Sequence, residues 1–308
     1  MQFPYDLTPL TSSLEGEVRL AEPLSRHTTF KVGGPAEVFV QPVSLRDVQY
    51  ALAWAQEHRL PWHVLGRGSN VLIREGGVPG VVLRIGPSLG RMQFSPFGVT
   101  VQAGASFTAL GRRAVQRGLA GLEFAAGVPG TVGGAICLNA GCFGQEIGEV
   151  VDTVTVLEPN GEIRRLNRAE MRFAYRHSLL RERNGIVLKA ELSLQPADPQ
   201  ALARRWGEIL TLKRARQPLD AASAGCVFKN PPGDLAGRLI EAAGCKGLRW
   251  GGAQVSEIHA NFILNLGGAS AADIEALIEI VRERVYHRCD VLLELEIEIW
   301  GEKAGIGA

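Results

Sequence analysis

The sequence predicts an α+β chain in three parts, residues 1–86, 87–196 and 197–308, with the last strand a candidate addition to the first part. Three observations carry this. Period-two strand patterns alternate with an amphipathic helix in the first part, an Asn160-Gly161 hairpin signal marks the second, and a long helix precedes a final alternating strand in the third. At 308 residues the chain also exceeds what one core usually serves, since domains run to roughly 100–150 residues.

In the first part "AEVFVQP" alternates as a strand does, and Ser44 with Asp47 has the spacing of a capping box opening the helix "SLRDVQYALAWAQEH". "PWHVLG" follows as a strand and completes a β-α-β unit over residues 36–66, after which "VLI" and "GVVLRI" read as further strands. In the second part the strand "GVTVQAG" leads into a helix, "SFTALGRRAVQRGL", and then into a glycine-rich stretch that runs to Gly148. "VVDTVTVLEP" and "EIRRL" flank the Asn-Gly turn, and "GIVLKAELSL" closes the part. "PADPQ" reads as a linker, and the helix "PQALARRWGEILTLKRAR" ends before Pro218, as helices tend to. A short helix "DLAGRLIEAAG", a strand "ANFILNL", a long helix "SAADIEALIEIVRERVYHRC" and a last strand "VLLELEIEIWG" complete the third part.

Lys+Arg and Asp+Glu nearly cancel at 33 and 32, and no basic run is interleaved with aromatics, so nucleic acid is not an expected partner. No basic and apolar leader opens the chain, and no eighteen apolar residues run without a charge, so a soluble, cytoplasmic protein with no membrane partner is expected. The five cysteines are scattered and form no C-x-x-C pair, which speaks against a metal site or a disulfide framework. A lone cysteine such as Cys226 usually packs as a small hydrophobe.

Glycine is the unusual component, 37 residues of 308 against an average of about 7%. Three loops concentrate it: "TTFKVGG" with Gly33 and Gly34, "LGRGSN" with Gly66, Gly68, Ser69 and Asn70, and "GVPGTVGGAICLNAGCFG" with Gly130, Thr131, Gly133 and Gly134. None reads as G-x-G-x-x-G between strand and helix, and no P-loop is present. Each loop is either a tight turn or a row of backbone N–H groups offered to a phosphate; a pyrophosphate is the natural guest for several together.

"HTTFKVGGPAE", "LGRGSNVLI", "AGVPGTVGGAICLNAGCFGQEI", "YRHS", "AGCVFKNPPG" and "GGAQVSEIHANFILN" occur in this order, and in them the chain resembles the UDP-N-acetylenolpyruvoylglucosamine reductase (MurB) family from about residue 20 to residue 301. The resemblance implies a two-subdomain FAD-binding module of the vanillyl-alcohol-oxidase type, over residues 1–86 and 87–196, and a substrate-binding domain over 197–308. It further implies non-covalent FAD, NADPH as co-substrate, and reduction of the enolpyruvyl ether of a UDP-sugar in peptidoglycan biosynthesis. The pyrophosphate and ribityl contacts would come from the three glycine loops. "YRHSLLRERNGIVLKAEL" passes directly into a strand, so the chain looks like the shorter type that lacks a tyrosine-bearing lid. A monomer is expected; a preference for NADPH over NADH is not legible. Two other readings stand beside this one. An oxidase of the same fold would tether its flavin through His or Cys, which "LGRGSN" does not offer, and a non-catalytic nucleotide-sugar binder would have no need of the acidic and basic groups described next.

Hydride addition to the β-carbon of an enolpyruvyl group leaves negative charge over the α-carbon and its carboxylate. Arg176 in "YRHS" matches the family's charge-stabilising arginine, since a guanidinium can grip a carboxylate with two parallel hydrogen bonds; otherwise it is a surface arginine. Alternation along the last strand puts Glu294, Glu296 and Glu298 on one face. That face is either solvated or, by the resemblance, carries the catalytic carboxyl at Glu296, which an apolar neighbour would keep protonated. Cys226 stands where most relatives have the serine that protonates the α-carbon. A thiol is the stronger acid, with a reference pKa of about 8.5, and Lys229 would lower it further if it pointed inward. Asn230, Lys213, Arg216 and His259 are candidate substrate contacts. One helix cannot aim Lys213, Arg214 and Arg216 at a single point, and His259 is equally readable as structural.

Overall fold

A computed structural model describes residues 5–303. The extreme residues included in the first and third sequence-assigned parts, 1–4 and 304–308, lie outside the described residues. By internal contacts the described residues form two units built from interleaved segments: 5–19, 38–66 and 80–212 in the first, and 20–37, 67–79 and 213–303 in the second.

The first unit contains a five-stranded antiparallel sheet in the order 163–167, 151–157, 186–193, 98–102, 92–95. The hairpin over Asn160-Gly161 is present, with Leu157 opposite Ile163 and Gly161 at φ +85°. A second sheet has the order 17–23, 35–41, 78–84, 62–65, and its strand 62–65 runs parallel to 78–84. The strand 78–84 therefore lies between the two strands of the expected β-α-β unit. The helix Leu45–Glu57 has the capping box read from its sequence. Asp47 goes further than a cap, because its carboxylate accepts from the N–H groups of Val43 (2.9 Å), Ser44 (3.3 Å), Glu15 (3.2 Å) and Gly16 (3.1 Å). Burial raises its pKa, yet those donors outweigh burial and hold it below the ordinary value. Val38, Val40, Trp54, Leu83, Phe107 and Phe124 are among the apolar side chains of this unit's core.

The second unit has its own core. Ile274, Leu277, Ile278, Val281 and Val285 line one face of the helix Ala271–Cys289 at helical spacing and join a cluster with Phe30, Leu72, Phe228 and Ile297. Its strands are short: an antiparallel set of 249–250, 253–255 and 263–265, and a parallel pair of 298–300 with 71–73.

The last strand is shorter than its alternation predicts, spanning only Glu298–Trp300. Upstream, the N–H groups of Glu296 and Ile297 both point at the carbonyl of Val227 (2.8 and 3.4 Å), and this bend breaks the ladder. The strand expected over 260–266 is likewise confined to Ile263–Asn265. No described helix is long and apolar enough to cross a membrane.

Candidate active site

The loop Gly66–Asn70 leaves the strand Trp62–Leu65 and enters the strand Val71–Ile73. Gly68 has φ +61°, and a Cβ there would lie 2.3 Å from the carbonyl oxygen of His27, so only glycine fits. The Thr29 N–H and Oγ1 both donate to the Gly68 carbonyl (3.0 and 3.2 Å). His27 is in turn anchored by its Nε2 against the Glu22 carboxylate at 2.8 Å, both side chains being buried. Among the described residues no acceptor meets the backbone N–H of Arg67, Gly68 or Asn70. Gly68 is buried, and an unmatched donor there is unusual in a finished fold. The loop therefore fits an anionic group such as the diphosphate of FAD.

The third glycine loop is built differently. Thr131 caps the helix Val132–Cys137, and the donors that follow are already used: Val132 N–H bonds to Ala105 O, Gly133 N–H to Ala103 O and Gly134 N–H to Thr131 Oγ1. A cradle of free N–H groups is thus not available at Gly133 and Gly134. What this segment offers is close approach, since a Cβ on Gly134 would meet nothing nearer than Thr131 Oγ1 at 3.6 Å. Gly130, at φ +147°, turns the chain into this segment. Thr131 in turn closes on Gly66, where a Cβ would stand 2.6 Å from Thr131 Oγ1. Gly33 and Gly34 have a packing reason of their own, because a Cβ on Gly34 would sit 2.1 Å from the Glu75 carbonyl oxygen and one on Gly33 2.9 Å from Ile73.

Arg176 occupies the left-handed region at φ +54°, in a tight turn closed by paired hydrogen bonds between Ala174 and His177. A non-glycine residue there is held by its surroundings. Its Nη1 reaches the Gly141 carbonyl at 3.4 Å, its guanidinium lies 5.2 Å from the Tyr175 ring centroid, and Ser178 Oγ donates to Cys137 O at 2.7 Å. The turn is thereby tied to the end of the glycine-rich stretch.

In the second unit Cys226 and Glu296 are joined through one segment of backbone. Cys226 bridges to Phe262, Val227 O accepts the Glu296 N–H, and Phe228 bridges to Leu295. Asn261 holds the segment in place: Val227 N–H donates to its carbonyl, its Oδ1 accepts from Phe228 N–H at 2.9 Å and its Nδ2 donates to Phe228 O at 2.8 Å. The sequence reading missed Asn261, although a buried amide inside the apolar run "HANFIL" is the signal that marks it. Asn70 also joins this group, donating from Nδ2 to the Glu296 carbonyl at 3.1 Å.

Other expected contacts resolve differently. Lys229 does not turn toward Cys226; its Nζ pairs with Glu294 at 3.3 Å in a largely solvated bridge. Asn230 Oδ1 accepts from Ala236 N–H at 3.0 Å and so caps the helix Ala236–Ala242. Lys213 is buried while Arg214 and Arg216 are exposed, as helical geometry requires of such close neighbours. Burial lowers the pKa of His259, its Nδ1 accepts from Asn261 N–H at 3.3 Å, and its ring meets Phe262 edge-on, so its described partners are structural. Arg176 belongs to the first unit and Cys226 and Glu296 to the second.

Comparison with known proteins identifies the family. Residues 36–167 match the model of an FAD binding domain, and residues 217–300 that of the UDP-N-acetylenolpyruvoylglucosamine reductase C-terminal domain. The chain is 44% identical over 300 residues to the UDP-N-acetylenolpyruvoylglucosamine reductase of Heliobacterium modesticaldum, covering 97% of this chain and 96% of that protein. It is 46% identical over 301 residues to that of Moorella thermoacetica, covering 96% and 99%. The crystal structure of the Thermus caldophilus reductase superposes with a TM-score of 0.81 at 36% identity, covering 94% of this chain and all of that one.

Proposed function

The chain belongs to the UDP-N-acetylenolpyruvoylglucosamine reductase family and is an FAD-dependent oxidoreductase; from this premise we propose that it reduces the enolpyruvyl ether of UDP-N-acetylglucosamine to UDP-N-acetylmuramate with NADPH. The reading includes a monomer working in the cytoplasm. FAD, when bound, would supply the hydride, drawn from NADPH, that the enolpyruvyl β-carbon takes up.

The chain's own residues have two tasks. Arg176 binds the substrate carboxylate and stabilises the negative charge that spreads into it, a contact that strengthens as the charge develops. A neutral Glu296 carboxyl donates a hydrogen bond to the same enolate-like group. Cys226 delivers its Sγ proton to the α-carbon, which requires the neutral thiol, the opposite of what a cysteine nucleophile needs. FAD would be held without a covalent bond, with the N–H groups of Arg67, Gly68 and Asn70 offered to its diphosphate and with Gly66, Ser69 and the segment Gly130–Gly134 as further residues proposed to hold it. One of Lys213 and Arg216 is the basic residue proposed for the substrate diphosphate.

The observation that carries the residue assignment is the bond from Glu296 N–H to Val227 O, which sets the proposed acid and the proposed donor on adjoining backbone. The test is NADPH consumption by the purified protein. It should depend on the enolpyruvyl UDP-sugar and yield a product two hydrogens heavier; consumption indifferent to that sugar would overturn the reading.

A further inference from the structure

Asn70 lies in a loop that sequence pattern alone assigns to the cofactor, yet its side chain is committed elsewhere. Its Nδ2 donates to the Glu296 carbonyl at 3.1 Å, and its own backbone carbonyl accepts the Glu298 N–H at 3.0 Å. One residue of the loop thus grips the peptide groups on both sides of Ile297. On its other side, Glu296 is held by its N–H to Val227 O at 2.8 Å. Glu296 is therefore clamped between the flavin loop and the segment that carries Cys226. The parallel pairing of Glu298 with Val71 begins one residue after Asn70 and fixes the register of the clamp.

We propose that Asn70 is a positioning residue for Glu296, setting the direction of its carboxyl through the backbone and linking that direction to the loop that holds FAD. The Asn70 backbone N–H is left for the cofactor, while its amide nitrogen serves the acid. This rests on the reading of Glu296 as the carboxyl that stabilises the developing charge. The hydrogen bond spans 226 residues of sequence, so no local pattern discloses it.

Asn70→Ala and the nearly isosteric Asn70→Leu both remove the donor, and the second keeps the site filled if the first folds poorly. Losing the bond leaves the Glu296 carbonyl without its amide donor, which corresponds to roughly tenfold in a rate set by that carboxyl. In the FAD-loaded variants, reoxidation of the flavin by the enolpyruvyl UDP-sugar should slow about tenfold. Combined with Glu296→Gln, neither change should slow reoxidation beyond Glu296→Gln alone. Hydrogen exchange at the Glu298 amide should quicken in both variants, a readout independent of turnover. Additive losses in the double variant, or loss of bound FAD from both single variants, would assign Asn70 to the cofactor instead and overturn the proposal. If Glu296→Gln turned over normally the catalytic reading of Glu296 would fail; quickened exchange at Glu298 would then still support the anchoring, and unchanged exchange would overturn it.

Discussion

Cys226 tests the account at the scale of a single residue, because the role proposed for it is that of an acid rather than a nucleophile. Cys226→Ser should retain appreciable turnover, and Cys226→Ala should lose most of it while flavin reduction by NADPH survives; normal turnover in the alanine variant would remove the donor role. Mild peroxide should also inactivate the parent more than Cys226→Ser, since only a thiol enters the oxidation ladder. Cys245 is the internal control. It is fully buried and burial pushes its thiol pKa up, so alkylating reagents should leave it unmodified in the native protein, with adduct mass mapping as the check. Candidate residues could be named from the sequence because the motifs are contiguous. The direction of a side chain was not legible: Lys229 turns to Glu294, 65 residues away, and Asn230 turns to the first turn of a helix, choices that a linear pattern does not contain.

Elements were legible where their cause is local. The capped helices Leu45–Glu57 and Ala271–Cys289 and the Asn-Gly hairpin each follow from a few neighbouring residues. The last strand was overread because its alternation continues through Glu296, while the Val227 carbonyl, which bends it, comes from a distant segment. Short strands such as Met92–Ser95 and Ala253–Val255 give too brief a pattern to read. Two changes probe elements directly. Asp47→Ala removes a helix cap and leaves the Glu15 and Gly16 donors unmatched, and should cost roughly 2–3 kcal/mol in denaturant unfolding. Gly68→Ala forces a side chain into the left-handed region and against the His27 carbonyl oxygen. It should cost roughly 1–3 kcal/mol and weaken FAD retention in equilibrium dialysis. An unchanged FAD affinity there would separate the loop from the cofactor.

Over the whole molecule, two cores are assembled from interleaved segments, and a linear reading places boundaries only where the chain is punctuated by loops. Stability against acid belongs to this scale. Burial holds His259 below its ordinary pKa of 6.5, so between that value and its folded pKa the unfolded chain binds more protons and stability falls as pH falls. The lowered carboxylates Asp47 and Asp273 add losses only below their ordinary value of 3.8. A thermal melt series should therefore show a first decline beginning near pH 6.5 that His259→Gln reduces, and an equal decline in that variant would contradict the assignment.

The central claim is that one flavin passes a hydride from NADPH to an enolpyruvyl UDP-sugar, with this chain supplying the charge stabilisation and the proton. The most direct test follows the visible flavin band of the purified protein without oxygen, adding NADPH and then one equivalent of the sugar. The account predicts bleaching by NADPH and full return of colour on addition of the sugar, with UDP-N-acetylmuramate formed in the same amount. Colour that returned only when oxygen was admitted would contradict it.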